Sequence, residues 1–209
     1  MPFIESITEE KTIIGFWKLE ESAEYLLTKL DLSAEEEERF QSFTCERRKR
    51  EFLASRVLLN KITGGTRKIV YDNHGRPFLS ESNGYISLSH SGSLAAVILS
   101  DTPAGIDVEE ITRNIERIMP RFLSDEELSW IQMSADSHQA ALISWCAKEA
   151  IFKMKHQESV DFRRHIHLNP FETGPNGTIQ ATVETGGKLS GIKMKYRFIE
   201  NNAVIWCVE

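Results

Sequence analysis

The stretch "GIDVEEI", residues 105–111, places carboxylates among apolar residues just after a turn signal. On a strand, residues i and i+2 leave from the same face, so Asp107 and Glu109 stand side by side with Ile106 and Val108 behind them. Like charges that close repel, and they need either a cation between them or exposure to water. A second stretch, "WCAKEAIFKM" (145–154), sets Trp145, Glu149 and Lys153 four residues apart on one helical face. On a surface, Glu149 and Lys153 would form an ordinary i,i+4 pair worth about 0.3–0.5 kcal/mol. Lys148 and Glu149, however, interrupt an otherwise apolar helix (Ala147, Ala150, Ile151, Phe152). If Glu149 faces the Asp107–Glu109 strand, the three carboxylates make an all-oxygen site, which suits a hard cation. Mg²⁺ takes a few carboxylates, keeps waters and completes its octahedron with substrate phosphate oxygens. Phosphate charge calls for basic groups, and Arg50, Arg76, His90 and Lys153 are the candidates. Each also has a local reading: Arg50 in "ERRKR" as a solvated face, Arg76 before Pro77 as a turn brace, His90 as a satisfied loop histidine.

These residues must be positioned by regular elements. "TIIGFWKLE" (12–20) reads as the first strand. "SAEEEERFQSF" opens with a capping box, Ser33 with Glu36, and its glutamates 35–38 read as a solvated first turn favoured by the helix dipole. A helix over 46–62 places Phe52, Leu53, Val57 and Leu58 at helical spacing and stops at Gly64-Gly65. "RKIVYD", "NHGRPFL" and "GYISLSHSGSLAAVILS" read as strand, turn and a strand pair, with "SHSGS" as the tight connection. "ITRNIERIMPRF" reads as loop with a short helix, and "LSDEEL" starts a second capping box, Ser124 with Glu127. The best helix spans 137–156, and the remainder alternates as strands with Gly/Asn turns. "LSAEEE" at 32–37 and "LSDEEL" at 123–128 echo each other, each opening a helix that is followed by a longer helix and then strands. The expected fold is α+β: two similar lobes, a pseudo-dimer, each a small antiparallel sheet packed with helices, at 1–101 and 102–209.

The chain has 209 residues, 41% apolar and 27% charged, which is ordinary for a soluble protein with its own core. A net charge of −6 argues against a general nucleic-acid or membrane-surface role. Cys45, Cys146 and Cys207 are far apart, odd in number and without metal-ligand spacing, as expected in a reducing cytosol. The N-terminal "MPFIESITEEKTIIGFW" is acidic where a signal peptide would be basic, and no run reaches transmembrane length. A cytoplasmic location is expected.

"GRPFL" (75–79), "ISLSHSGSLAAVILS" (86–100), "GIDVEEI" (105–111), "RFLSDEEL" (121–128) and "WCAKEAIFKM" (145–154) occur in the order and spacing that resemble the 4′-phosphopantetheinyl transferase superfamily, in its two-lobed, Sfp-type branch. The specific part of the resemblance is G-I-D-x-E joined to W-x-x-K-E-x-x-x-K and an upstream S-H-S. The resemblance implies an enzyme that moves the 4′-phosphopantetheine arm of coenzyme A onto a serine of an apo acyl or peptidyl carrier protein, releasing adenosine 3′,5′-bisphosphate. It implies Mg²⁺ held by Asp107, Glu109 and Glu149, and coenzyme A phosphates met by Ser89 and His90. It further implies Arg76 near the nucleotide phosphate, Arg50 as the basic position opening the N-lobe helix, and Lys153 at the diphosphate. Glu149, Lys153 and His90 are then the expected catalytic groups, Glu149 taking the serine proton directly or through a water. Glu127 matches a family acid and is equally the capping partner of Ser124. Trp145 is expected in the core, turning Glu149 inward. Ile118, Met119, Arg121 and Phe122 are candidates for an acceptor surface, with core packing the competing fate of Ile118 and Phe122. A pseudo-dimer working as a monomer is expected. Two other readings remain: a Mg²⁺-dependent phosphohydrolase acting on coenzyme A or a nucleotide, and a non-catalytic binding lobe with solvent-facing acids.

Overall fold

The computed structural model describes residues 2–80, 82–155 and 160–209. The chain divides into two compact units, Met1–Ala104 and Gly105–Glu209. In the first unit, β1 (Phe3–Glu9) and β2 (Thr12–Lys18) are followed by α1 (Ala23–Leu27), α2 (Ala34–Gln41) and α3 (Glu46–Thr63). A two-stranded ribbon, β3 (Ile69–Tyr71) and β4 (Pro77–Leu79), precedes β5 (Tyr85–Ser91) and β6 (Leu94–Ser100). The main sheet has the order β1-β2-β6-β5 with every pairing antiparallel. Helix α3 packs on β2 and β6, burying Leu53, Leu58 and Leu59 with Trp17, Ile86 and Val97. It ends at Gly64, whose φ of +68° is the left-handed conformation a C-terminal glycine supplies.

Strand β7 (Ala104–Glu110) starts at the boundary and opens the second unit from Gly105, followed by a 3-10 turn at Glu116–Ile118, α4 (Met119–Phe122), α5 (Asp125–Met133) and α6 (Ser137–Lys155). After α7 (Phe162–His165) come β8 (Ile166–Leu168), β9 (Asn176–Thr185), β10 (Lys188–Ile199) and β11 (Asn202–Val208). The five-stranded sheet runs β7-β11-β10-β9-β8. The β8–β9, β9–β10 and β10–β11 pairings are antiparallel. Ile111 N–H bonds Asn201 O at one end of the β7–β11 pair and Cys207 Sγ meets Gly105 O at the other, so this pair is antiparallel too. Helix α6 lies chiefly on β11. No described helix is long and apolar enough to cross a membrane.

The α+β architecture with antiparallel sheets and helices agrees with the sequence expectation. Several local readings change. A strand, β1, precedes the expected first strand, and α1, capped by Ser22, was not foreseen. Ser89 and His90 lie inside β5, paired with Ala96 and Ala95, so the turn narrows to Gly92–Ser93. Helix α7 is also additional, and His156, expected at the end of α6, falls outside the described residues.

Both capping boxes form, and each glutamate does more than cap. Glu36 was expected in a solvated turn, yet it is 2% exposed. Its Oε2 accepts from Ser33 N–H, while Oε1 accepts from Arg56 Nε at 2.9 Å and Ile69 N at 3.2 Å. In the second unit Glu127 accepts from Ser124 N–H, from Lys148 Nζ at 2.7 Å and from Leu168 N at 2.8 Å. The two units thus repeat one device. A capping glutamate ties its own helix to a cation on the next long helix and to the first or last residue of a short strand. Lys148 Nζ also donates to the carbonyls of Phe122, Phe162 and Ile166 at 2.7–2.9 Å. Burial pushes the Lys148 ammonium below the usual lysine range, against the pull of Glu127. Removing one member strands the other charge in the core. Lys148→Met is therefore expected to destabilise the chain by about 3–5 kcal/mol in denaturant unfolding. Combining it with Glu127→Gln should recover part of that loss.

Candidate functional site

Strand β7 turns Gly105, Asp107 and Glu109 to one face by its two-residue period. Helix α6 covers that face. A Cβ at Gly105 would overlap the carbonyl oxygen of Ala150 and crowd Met154 N, so only glycine allows the helix backbone this close. One step along, Lys153 Nζ bonds Asp107 Oδ1 at 2.7 Å and Ile106 O at 3.2 Å. One step further, Trp145 Nε1 donates to Glu109 Oε1 at 3.0 Å. The helix therefore descends as the strand ascends, and its inner face reads off the strand's acids in turn. Arg113 forms an ion pair with Glu109 and stacks over Trp145, 5.1 Å from the ring centroid.

Asp107 and Glu109 are buried, at 4% and 7% exposure, and Glu149 is half-buried. Burial first, then the charge of Asp107, pushes the Glu149 carboxyl above the usual range, against Lys153 and Arg113. Burial and Asp107 likewise hold the Cys146 thiol well above its ordinary value. The seam sets three carboxylates, oxygen ligands all, against two nitrogen cations, Lys153 and Arg113. That chemistry fits a hard divalent cation. As folded, though, Lys153 and Arg113 take oxygens of Asp107 and Glu109. Among the described residues no three His, Cys, Asp or Glu side chains stand ready to grip one ion. Lys153 pairs with Asp107 on the strand, as the seam-facing reading of α6 requires, in place of the alternative surface pair with Glu149.

Trp145 also walls a groove of about 350 Å³, with Ile118, Arg121, Phe122, Asp161 and Phe162. Phe122 and Phe162 approach the Trp145 ring at centroid distances of 5.0 and 5.9 Å. Phe122 belongs to the core and Ile118 packs against it. Trp145 is only part-buried, and its indole serves Glu109 as well as the core. Glu127 is claimed by the buried network described above, which settles its structural role.

In the first unit His90 meets Glu51 and Arg48, neither of which the sequence reading singled out. Arg50 is half-buried on α3. Arg76 closes a turn through its backbone, its N–H bonding Asp72 Oδ1 and its carbonyl accepting from Asp72 N–H. Ser89 is buried and, adjacent to His90 on β5, leaves the strand on the opposite face. The two are therefore not presented side by side.

Residues 103–204 match the profile of the 4′-phosphopantetheinyl transferase superfamily. That match covers just under half of the 209 residues. The 4′-phosphopantetheinyl transferase gsp of Aneurinibacillus migulanus is 25% identical over 61% of this chain and 53% of its own. HetI, a 4′-phosphopantetheinyl transferase of Nostoc sp. (strain PCC 7120), is 30% identical over 58% of each chain. AcpT, a 4′-phosphopantetheinyl transferase of Salmonella typhi, is 32% identical over 52% of this chain and 59% of its own. The chain spans about half the length of the curated relatives it matches. A solved holo-[acyl-carrier-protein] synthase (AcpS) from Thermotoga maritima shows a slight likeness, at 18% identity and a TM-score of 0.36 over 51% of this chain and 62% of that one.

The superfamily stretch includes the whole β7–α6 seam. Because the folded state raises the Glu149 pKa, it binds that proton more tightly than the unfolded chain does. The resulting stabilisation is complete below the unfolded value and is lost as pH rises through the folded one. Glu149→Gln is thus expected to melt higher than wild type at pH 7, with the advantage shrinking as pH falls toward 4.5 and below. Gly105→Ala should act oppositely, lowering the melting temperature at every pH because α6 must back away from β7.

Proposed function

We propose that this protein transfers the 4′-phosphopantetheine arm of coenzyme A to a serine of an apo carrier protein, in a Mg²⁺-dependent reaction. The observation that carries the reading is the β7–α6 seam, where Asp107 and Glu109 meet the Glu149/Lys153 face of α6. The relatives named 4′-phosphopantetheinyl transferases support it. Asp107, Glu109 and Glu149 would hold the metal, which when bound supplies charge neutralisation and orientation at the diphosphate.

The chain's own groups fit the rest of the chemistry. The serine oxygen forms a bond to the β-phosphorus as the bond to the bridging oxygen breaks, and adenosine 3′,5′-bisphosphate departs. A serine hydroxyl needs a proton acceptor. Glu149, with its pKa raised by burial and by Asp107, is the seam carboxylate best matched to take that proton, directly or through a water. Lys153, 26% exposed at its side chain, can turn from Asp107 toward phosphate oxygens as negative charge builds. His90, with Arg50 and Arg76, would meet phosphates of the nucleotide. The aromatic groove beside Trp145 offers apolar walls to the uncharged pantetheine arm.

The test is intact-mass spectrometry of an apo acyl or peptidyl carrier protein mixed with the enzyme and coenzyme A, with and without Mg²⁺. A phosphopantetheine adduct that depends on Mg²⁺ is expected. Cleavage of coenzyme A without protein labelling would select a hydrolase instead. Asp107→Ala should abolish labelling while the protein remains folded by circular dichroism; near-normal labelling at saturating Mg²⁺ would displace the site from this seam. Lys153→Ala should lower kcat more than it raises KM for coenzyme A.

A further inference from the structure

We propose that Glu51 is a positioning residue for phosphate binding: its buried carboxylate gathers Arg47, Arg48 and His90 into one cationic cluster that takes a phosphate of coenzyme A. The proposal rests on the coenzyme A reading above and assigns residues of the first unit that neither motif nor spacing indicated.

Glu51 lies on α3 with its side chain 3% exposed. Its Oε1 accepts from Arg47 Nε at 2.7 Å, and its Oε2 accepts from Arg48 Nη1 at 3.3 Å. The same Oε2 stands 3.3 Å from His90 Nδ1, on β5. Arg48 Nη1 also lies 3.5 Å from His90 Nε2. One tautomer meets both contacts: Nδ1–H donates to Glu51 and Nε2 accepts from Arg48. The carboxylate therefore orients the imidazole and both guanidiniums from beneath. Meanwhile Arg47 and Arg48 remain 58% and 60% exposed, and His90 29%. Among the described residues Arg48 is engaged through Nη1, which leaves Nε and Nη2 as a planar pair of donors of the kind that suits phosphate.

Stability alone is a poor account of this arrangement. Two neighbouring guanidiniums repel one another, and exposed arginine pairs at i,i+3 and i,i+4 contribute little. Burying an acid to hold them costs desolvation. The same helix shows what a structural ion pair looks like: Arg56 and Glu36, both 2% exposed, closed to solvent. Glu51 differs in that its partners face outward.

The sign of one substitution separates the possibilities. Glu51→Gln keeps the shape and removes a negative charge beside the cluster, so simple Coulomb attraction would tighten an anion. A positioning role predicts the opposite. By isothermal calorimetry, Glu51→Gln should bind coenzyme A and adenosine 3′,5′-bisphosphate at least about fivefold more weakly than wild type, and KM should rise more than kcat falls. Affinity equal to or tighter than wild type would overturn the proposal. Should Glu51→Gln fail to fold, the surface variant Arg47→Gln/Arg48→Gln carries the test: it is expected to lose at least as much affinity, and wild-type affinity in it would overturn the proposal. A wild-type protein that binds no coenzyme A sinks the transferase reading and this proposal with it. Binding by wild type that is unaltered in the variants sinks this proposal alone.

Discussion

The close approach of α6 to β7 at Gly105 governs the chemistry available in the second unit. A helix rests on a sheet at side-chain distance unless one partner has no side chain. At Gly105 the helix backbone comes into the space a Cβ would fill. Same-face positions on a strand recur about every 6.6 Å, and helix positions i and i+4 about every 6 Å. Lys153 and Trp145 lie two such helix steps apart, against the single strand step between Asp107 and Glu109, so their long side chains converge on the two acids. Lys153 falls on Asp107, and Trp145 on Glu109. Glu149, midway between them in sequence, is held where Asp107 perturbs it. The alternating acids are thus one half of a two-row device, and the glycine before them sets its spacing.

Neighbouring residues on α6 meet opposite fates for the same geometric reason. Lys148 and Glu149 are a hundred degrees apart around the helix. Lys148 turns into the core, where Glu127 and three carbonyls surround its ammonium. Glu149 turns to the seam, where burial and a like charge disfavour its ionised form. One is satisfied and architectural, the other strained by its setting. The first holds the helix so that the second stays in place.

Much of this was legible in the chain's local chemistry. Capping boxes need only four residues, and both formed as read from Ser33–Glu36 and Ser124–Glu127. The long helices announced themselves by apolar spacing, and the strand alternation of "GIDVEEI" placed Asp107 and Glu109 on one face. What escaped depends on contacts between distant positions. Glu36 read as a solvated turn because Arg56 and the Ile69 N–H, which draw it inward, lie on other elements. Glu51 was hidden inside a basic run that reads as surface until β5 brings His90 against it. The "SHSGS" stretch looked like a turn because its composition is turn-like, but pairing with β6 extends β5 through Ser91. The internal echo was visible in "LSAEEE" and "LSDEEL". Its meaning, one buried carboxylate binding a helix, a cation and a strand N–H, was not, because the cations differ and each lies far in sequence from the glutamate it answers.

Buried acids in this protein divide by the exposure of the cation that answers them. Glu36 and Glu127 are answered by Arg56 and Lys148, at 2% and 0% exposure. No ligand can reach those pairs without unfolding their surroundings. Asp107, Glu109 and Glu51 are answered by Lys153, Arg113, Arg47 and Arg48, at 26%, 39%, 58% and 60% exposure. An exposed cation loses little by leaving a buried acid when a phosphate replaces it, because its own desolvation was never complete. The acid it leaves then requires a new positive partner, and under the proposed function a divalent ion would meet that requirement for Asp107 and Glu109. Under the proposed function partner exchange is open to the Lys153 and Arg113 pairs and barred from the Arg56 and Lys148 pairs, while Glu51 keeps hold of Arg47 and Arg48 as their outward donors meet the phosphate.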